Sequence, residues 1–200
     1  RKEELLARGL KVVDATCPHV KKAQAIIERY TAEGYTGIVI GDPHHAEIVS
    51  ILGHAKGKCH VVQNADGASA ITSNDAPFVV ICQTTFSIFE IDEVLSRLPI
   101  NEQRDIVVKT VCRATQDRQE AAKELAEAVD VVFVVGGRHS ANTNRLAKLC
   151  SAVNPRTYHI ETADEITAEL ITDASTAGVT AGASTPDWII AEVCDRLERM

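Results

Sequence analysis

The sequence has few aromatic residues and no long apolar segment. Phe, Trp and Tyr together make up 4% of the 200 residues, and Trp188 is the one tryptophan. The longest apolar runs lie at 78–82 and 131–135 and are far too short to cross a bilayer. So few aromatic rings also leave no platform on which nucleic-acid bases could stack. The sequence therefore predicts neither a membrane partner nor a nucleic-acid partner.

Basic residues are outnumbered by acidic ones. The chain has 21 Lys and Arg against 28 Asp and Glu, a formal charge of −7, and no basic block. This balance argues against general binding to nucleic acid or to an anionic membrane, although a local polar pocket for a small anion remains compatible with it. Hydrophobic residues reach 45%, which excludes a disordered chain and is enough for one or two compact domains.

The six cysteines include no C-x-x-C pair, and the first residues show no secretory-signal pattern. We therefore expect free thiols in a reducing cytosol, and hence a cytoplasmic protein. Four cysteines lie inside apolar strand or helix patterns and are predicted to be buried small hydrophobic residues: Cys59, Cys82, Cys150 and Cys194. The other two, Cys17 and Cys112, follow predicted strands.

Strand and helix patterns alternate along the chain. This alternation predicts an α/β fold whose parallel sheets are covered by helices on both faces. The predicted strands are 10–14, 36–40, 59–63, 78–82, 106–109, 131–135, 156–160 and 178–180. The predicted helices are 19–33, 46–52, 88–98, 116–128, 143–150, 163–170 and 186–198, the last with Thr185 as its cap.

An internal repeat divides the chain into two copies of one unit. Cys17 precedes Gly41 by 24 residues and Cys112 precedes Gly136 by the same distance, and further matches continue at regular offsets. We predict two tandem pseudo-symmetric αβα units, at 10–99 and 105–200, each with a mostly parallel four-stranded sheet. A polar linker covers 99–104. Residues 1–9 are interpreted as the end of a helix that belongs to a preceding unit.

Polar side chains follow the predicted strands, where parallel sheets bind ligands. Cys17 and Cys112 are either ordinary free thiols or two ligands of one soft-metal centre, because thiolates select zinc or iron–sulfur clusters. Four possible anion donors lie at predicted helix starts around an expected polar cleft: His45, Ser140, Asn142 and Ser184. Each could instead serve only as a helix cap or a solvated loop residue.

One carboxylate, Glu47, lies close to these donors on its loop. It is either an ordinary first-turn helix acid, favoured by the helix dipole, or a general acid in a dry pocket. Thr84 or Thr85 could relay a proton to it. Together the donors favour a phosphate or diphosphate site, to which backbone amides and helix dipoles also contribute.

The same motifs, in the same order, carry a family resemblance over nearly the whole chain. They are DATCP at 14–18, HAE at 45–47, QTTFS at 83–87, CRATQDRQ at 112–119, SANTNRL at 140–146 and TAGASTPD at 180–187. The chain closely resembles the 4-hydroxy-3-methylbut-2-enyl diphosphate reductases, the iron–sulfur enzymes that end the non-mevalonate isoprenoid pathway. That family forms a three-unit trefoil around one [4Fe–4S] cluster, which is held by three cysteines, one from each unit.

The resemblance implies a role for each motif residue. Cys17 and Cys112 would be two of the three cluster ligands, and Glu47 would deliver protons with the help of Thr84. The diphosphate of the substrate would be bound by His45, Ser140, Asn142 and Ser184, with Thr85 nearby. The implied reaction is reductive dehydroxylation to isopentenyl and dimethylallyl diphosphate, with ferredoxin or flavodoxin as the electron donor.

The sequence departs from the family pattern in one major respect. The family's first unit, which carries the third cluster cysteine and two more diphosphate-binding histidines, has no counterpart here, and the short C-terminal tail is also missing. Ala46 replaces a usual proline and Ser50 replaces a frequent glycine, both mild changes. We therefore expect a fragment that, by itself, binds no stable cluster and is inactive.

Two other functions compete with the reductase. One is a non-redox diphosphate-binding module in which the cysteines are idle. The other is a zinc-dependent hydrolase that uses Cys17, Cys112 and a histidine such as His45, although the sequence contains no H-E-x-x-H or paired-ligand spacing.

Overall fold

The computed structural model of the protein describes residues 2–73 and 75–200. Its backbone separates into two compact units, Arg1–Val111 and Cys112–Met200. Both are α/β units with parallel sheets and flanking helices, as the sequence predicted. Arg1, in the predicted first helix, lies outside the described residues.

The first unit alternates helices and strands. Its elements are α1 (Lys2–Ala7), α2 (Pro18–Ala32), β1 (Thr36–Ile40), α3 (Ala46–Leu52), β2 (Cys59–Val62), α4 (Ala65–Ser69), β3 (Phe78–Cys82), α5 (Ile88–Arg97) and β4 (Ile106–Val108). Helix α1 ends at Ala7, and Gly9 follows it with a φ of +72°, the left-handed conformation that glycine adopts without steric cost.

The first sheet has the strand order β2-β1-β3-β4, and all its neighbours are parallel. Strands β1 and β3 are buried along their whole length. Ile38 and Val80 contribute to the core on one face of this sheet, and Val39 and Ile81 to the core on the other. Burial on both faces explains why these strands are continuous apolar runs rather than alternating ones.

Strand β4 belongs to the first sheet, which corrects the predicted unit boundary. The segment 106–109 was predicted to open the second unit, but Ile106–Val108 pair with Val79–Ile81 of β3. The buried carboxylate of Asp105 holds the start of this pairing, because its Oδ1 accepts from the Phe78 N–H at 2.9 Å. The chain therefore changes units after Val111, rather than at the polar stretch 99–104.

The predicted strand at 10–14 is wrong, since this segment forms no regular structure. Val13 is 81% exposed, and no described strand lies beside the segment to complete its hydrogen bonds. A strand is stable only when a neighbour pairs with its backbone N–H and C=O groups. The β-branched composition of this segment was therefore not sufficient.

The second unit contains α6 (Arg113–Ala128), β5 (Val131–Val135), α7 (Ala141–Val153), β6 (Thr157–Ile160), β7 (Ala177–Ala181) and α8 (Asp187–Glu198). Its described sheet has three parallel strands in the order β6-β5-β7, not the predicted four, because β4 lies in the first sheet. The predicted helix 163–170 is instead two 3₁₀ turns, Ala163–Glu165 and Ala168–Ile171. No helix of the described residues is long and apolar enough to cross a membrane.

The two units share their geometry at the carboxyl ends of their central strands. The Gln83 N–H donates to the Ile40 carbonyl at 2.7 Å, and the Gly182 N–H donates to the Val135 carbonyl at 3.0 Å. Gln83 and Gly182 therefore occupy equivalent positions, each directly after the third strand of its unit. The candidate functional residues follow these strand ends.

Candidate active site

In the first unit, Glu47 and Thr84 form a buried pair. Glu47 lies in the first turn of α3 and is 9% exposed, and Thr84 follows β3 and is 5% exposed. The Thr84 N–H donates to Glu47 Oε1 at 2.7 Å, and the Thr84 hydroxyl donates to Glu47 Oε2 at 2.9 Å. Both carboxylate oxygens are thus fixed by one residue. The predicted contact between these residues is present.

His45 is the N-cap of α3 and is half-buried. Its Nδ1 accepts from the Glu47 N–H at 3.1 Å, so the ring proton of a neutral imidazole lies on Nε2. The Nε2–H remains available as a donor to a ligand. The helix-cap role of His45 is therefore present in the structure, and this contact uses only one of its two ring nitrogens.

In the second unit, Ser140 and Asn142 lie at the start of α7. The Ser140 hydroxyl accepts from the Thr143 N–H at 3.3 Å and so caps the helix. The Asn142 Nδ2 is buried and makes no hydrogen bond within the described residues, and the same holds for the Thr143 hydroxyl. Buried donors without a partner are costly, and these two groups are the unsatisfied polar side chains at the start of α7 among the described residues.

Two glycines lie close against the Thr143 hydroxyl. A Cβ on Gly182 would come within 2.2 Å of Thr143 Oγ1, and a Cβ on Gly136 within 2.9 Å. Gly136 also has a φ of +144°, which L side chains rarely adopt. Space therefore requires glycine at position 182, and both space and backbone conformation require it at position 136.

The remaining predicted donors occupy turns after the third strands. Thr85 is half-buried, and its hydroxyl accepts from the Gln83 Nε2 at 3.1 Å. Ser184 is exposed in the turn between β7 and α8. The predicted cap of α8 is wrong: the Thr185 hydroxyl donates to the Val135 carbonyl at 2.9 Å, and the helix begins after Pro186.

Cys17 and Cys112 occupy equivalent places at helix starts. Each is the N-cap of a long helix, α2 and α6 respectively, and neither side chain caps its helix. Cys17 is exposed and Cys112 is half-buried, with its Sγ 3.0 Å from the Thr115 hydroxyl. A helix start favours negative charge, and a thiolate is the ligand that iron–sulfur clusters take from proteins. The donor type therefore fits such a cluster.

The other four cysteines differ from these two. Cys82 and Cys150 are buried as predicted, and burial raises the pKa of each thiol to about 11. Cys59 and Cys194 are only partly buried, so the prediction of full burial is wrong for them. Burial also raises the pKa of Cys59. Thiols that resist ionisation are poor metal ligands, which argues against Cys59, Cys82 and Cys150 in that role.

The structure also shows polar contacts that the sequence did not identify. Gln83 and Thr115 were noted only as letters of longer motifs, and Thr143 only as a helical residue. Two signals could have identified Gln83 and Thr115. Gln83 is a polar residue directly after an apolar strand, and Thr115 lies three positions after a cysteine. Among the described residues, no group of three or more His, Cys, Asp and Glu side chains is placed to hold a metal ion.

The fold and these sites define a class of protein, a repeated α/β protein with polar groups at its strand ends and helix starts. These groups are two thiols, a buried carboxylate paired with a hydroxyl, and a buried amide without a hydrogen-bond partner among the described residues. A more specific identification comes from comparison. The family model described as LytB protein matches residues 1–198, so the chain belongs to the LytB protein family. Membership confirms the resemblance found in the sequence.

Curated relatives carry one name. The 4-hydroxy-3-methylbut-2-enyl diphosphate reductase of Geobacter sulfurreducens is 45% identical over 196 residues, which cover 98% of this chain and 69% of the relative. The reductase of Caldanaerobacter subterraneus is 39% identical over 198 residues, 99% of this chain and 68% of the relative. The chain thus matches about 70% of the length of these proteins.

Solved structures that are similar to this chain are also described as diphosphate reductases. One described as (E)-4-hydroxy-3-methyl-but-2-enyl diphosphate reductase, the terminal enzyme of the non-mevalonate pathway, has 36% sequence identity and a TM-score of 0.60. The similarity covers 100% of this chain and 72% of that chain. A reductase structure from Plasmodium falciparum has a TM-score of 0.89 at 23% identity, covering 97% of this chain and 62% of that one, and shows the shared fold.

Proposed function

We propose that this chain carries the diphosphate-binding and proton-delivering residues of a 4-hydroxy-3-methylbut-2-enyl diphosphate reductase, together with two cysteine ligands of its iron–sulfur cluster. The reaction is the reductive dehydroxylation of the substrate to isopentenyl and dimethylallyl diphosphate. The observation that carries the proposal is the buried Glu47–Thr84 pair in a member of this family.

The reaction defines what the protein must supply. The carbon–oxygen bond of the allylic alcohol breaks, the oxygen leaves as water, and a hydrogen takes its place on the carbon skeleton. Each turnover therefore consumes two electrons and two protons, one proton for the departing hydroxide and one for the carbon. A proton donor in a site with little water is consequently required.

Glu47 and Thr84 fit the donor role. Glu47 is buried, and its carboxylate is held by Thr84, whose hydroxyl can both donate and accept. For delivery the hydrogen bond reverses: the O–H of a protonated Glu47 carboxyl donates to the Thr84 oxygen, and the Thr84 hydroxyl hydrogen turns to the substrate, so one proton enters the hydroxyl as another leaves it. In this arrangement Glu47 is the proton source and Thr84 is the relay.

Neutral donors bind the diphosphate in the proposal. His45 offers its Nε2–H, and Asn142 offers a buried amide that lacks a partner. Ser140, Ser184 and Thr85 supply hydroxyl groups. These donors tolerate the acidic net charge of the chain, because an anion is bound through local N–H and O–H dipoles rather than through the overall field.

Cys17 and Cys112 would hold a [4Fe–4S] cluster with a third cysteine that lies outside this chain. When bound, such a cluster supplies the electrons. A ferredoxin or a flavodoxin is the proposed electron donor, and a cytoplasmic location is part of the same proposal. Two thiols do not by themselves complete the ligand set of such a cluster.

The alternative functions have less support. A zinc-dependent hydrolase needs three protein ligands around the metal, and the described side chains bring no such group together. A non-redox diphosphate-binding module would account for the Asn142 amide. It would not account for a family whose compared members are named as reductases.

The test compares this chain with a chimera. The chimera joins this chain to the part of the Geobacter sulfurreducens relative that this chain does not match. Both are reconstituted anaerobically with iron and sulfide, analysed for metal, and assayed with substrate and chemically reduced methyl viologen. We expect the chimera to hold iron and sulfide and to turn over, and the chain alone to do neither. A chimera that binds the substrate but holds zinc, or holds a cluster without turnover, would refute the proposal.

Variants of the chimera then test the roles. Glu47→Gln is expected to lower kcat by at least a hundredfold while substrate binding persists. Asn142→Ala is expected to weaken substrate binding about tenfold, as measured by calorimetry, because it removes one donor to a charged ligand. Ser151→Ala, an exposed serine on the same helix α7, is the matched control and should change neither quantity.

A further inference from the structure

Gln83 has no role in the function described so far, yet its side chain is among the most buried polar groups of the chain. It lies directly after β3 and is 0% exposed. Its Oε1 accepts from the Asp42 N–H at 3.1 Å, and its Nε2 donates to the Thr85 hydroxyl at 3.1 Å. A buried amide is retained at low cost only when both of its ends are paired, and both ends are.

These two hydrogen bonds join separate loops of the first unit. The loop after β1 begins with Gly41 and Asp42 and leads into His45 and Glu47. The Asp42 carbonyl accepts from the His45 N–H at 3.1 Å, so the backbone that Gln83 holds in turn holds the cap of α3. The loop after β3 carries Thr84 and Thr85. One amide therefore connects the loop of the carboxylate to the loop of its hydroxyl partner.

The neighbouring backbone is shaped to admit this amide. A Cβ on Gly41 would come within 2.9 Å of both the Cβ and the Oε1 of Gln83, and within 2.7 Å of Ile48 Cδ1. An alanine here would displace the Gln83 side chain or the first turns of α3. The position of the Gln83 side chain after β3 therefore depends on glycine at position 41, directly after β1.

The second unit lacks an amide side chain that joins its two loops in this way. Its residue equivalent to Gln83 is Gly182, which has no side chain, and the adjacent space is filled by the Thr143 hydroxyl without a hydrogen-bond partner among the described residues. The amide bridge is therefore not a general requirement of the repeated fold. It occurs in the unit that contains the buried acid.

We infer that Gln83 is the positioning residue of the proton-delivering pair: its buried amide fixes the loop of Glu47 against the loop of Thr84 and orients the Thr85 hydroxyl. This inference rests on the proposed function for its catalytic consequence. The geometry behind it can be tested without turnover.

The first test measures amide hydrogen exchange by NMR in the chain itself, with the variant Gln83→Met. Methionine has a similar length and no hydrogen-bonding amide. We expect the Asp42 N–H to lose its protection about tenfold or more, because it loses its acceptor, and the Thr84 N–H to follow as the two loops separate. The Val39 amide in the middle of β1 should keep its protection, which separates local loosening from general destabilisation.

Gln24→Met is the matched control, since it makes the same chemical change at another buried glutamine of the same unit. Gln24 lies on α2 and donates to the Ser50 hydroxyl at 2.9 Å, away from both loops. It should leave the Asp42 and Thr84 amides protected. If Gln83→Met has no larger effect on these two amides than Gln24→Met, the inference is wrong.

The second test is the kinetics of the chimera. Gln83→Met is expected to lower kcat about tenfold because it disturbs the proton source, and to raise KM by a smaller factor because the Thr85 and His45 donors lose part of their support. A kcat equal to that of Gln24→Met overturns the inference even when Glu47→Gln is inactive. Full activity of Glu47→Gln would instead overturn the proton role of the pair, whatever the exchange data show.

Discussion

The buried carboxylate of Asp105 provides the sharpest test of how the first sheet is held together. Its Oδ1 accepts from the Phe78 N–H at 2.9 Å and from Arg104 Nε at 3.1 Å, and its Oδ2 accepts from the Asn101 N–H at 2.8 Å. The side chain is 0% exposed. It thus joins the first residue of β3 to the turn that leads into β4, at the edge where the chain adds its fourth strand.

The variant Asp105→Asn keeps the shape and removes one acceptor. An asparagine has a single oxygen, so in either orientation its NH₂ group faces a backbone N–H. Losing one hydrogen bond to a charged acceptor, and leaving a buried donor unpaired, costs about 2 kcal/mol of unfolding free energy. With a urea dependence of about 1.5 kcal/mol/M for a unit of this size, the midpoint of the first unit should fall by roughly 1–1.5 M.

Pulsed thiol alkylation read by mass spectrometry follows the two units separately. Cys82 in β3 is 1% exposed and reports on the first unit, and Cys150 in α7 is 0% exposed and reports on the second. Asp105→Asn should lower the urea midpoint for Cys82 far more than that for Cys150. Asp92→Asn is the control, since its carboxylate is 79% exposed and its ion pair with Lys109 lies on the surface. Equal shifts for Asp105→Asn and Asp92→Asn, or for the two cysteines, would refute the reasoning.

Three further outcomes are expected. Gly182→Ala should lower the melting temperature, with a loss of about 2 kcal/mol, because its Cβ would lie 2.2 Å from a buried threonine hydroxyl. Gly53→Ala, whose Cβ would meet nothing nearer than 3.4 Å, should leave the melting temperature unchanged or raised. The free energy of unfolding should fall as pH rises from about 9 towards 11, because folding keeps the thiols of Cys82 and Cys150 protonated with pKa values raised to about 11; urea titrations at pH 8 and pH 10.5 measure this. In the native chain at pH 8, iodoacetamide should modify the exposed Cys17 first and leave Cys82 and Cys150 unmodified, as peptide mapping would show.

Strong local patterns predicted most of the fold. The apolar runs at 78–82 and 131–135 became β3 and β5 with the predicted bounds, and the segment 46–52 became α3. Burial on both faces of a parallel strand leaves a continuous signal that needs no knowledge of the partner. The start of α6 was less well predicted, because the helix begins at Arg113 rather than at residue 116, which makes Cys112 its N-cap.

The errors arose where structure depends on a partner distant in sequence. The segments 10–14 and 106–109 have similar composition, yet only the second has a neighbouring strand that completes its hydrogen bonds. Their sequences alone could not distinguish these outcomes.

For the site, the contact between Glu47 and Thr84 that the motifs suggested is present in the structure. The supporting contacts could not be predicted in the same way. The role of Gln83 depends on Asp42, which lies 41 residues earlier, and on the space left by Gly41. No local period or spacing encodes such a contact. The unfilled amide of Asn142 likewise became visible only when its surroundings were known.

The late position of β4 has a consequence for synthesis on the ribosome. The first sheet receives its edge strand only after residue 108 has emerged, well after the polar stretch 99–104 that resembles a linker. A nascent chain stopped at residue 104 would expose the open side of β3 to aggregation. Any recombinant version of the first unit should therefore end beyond Val111, where the backbone has completed one sheet before starting the next.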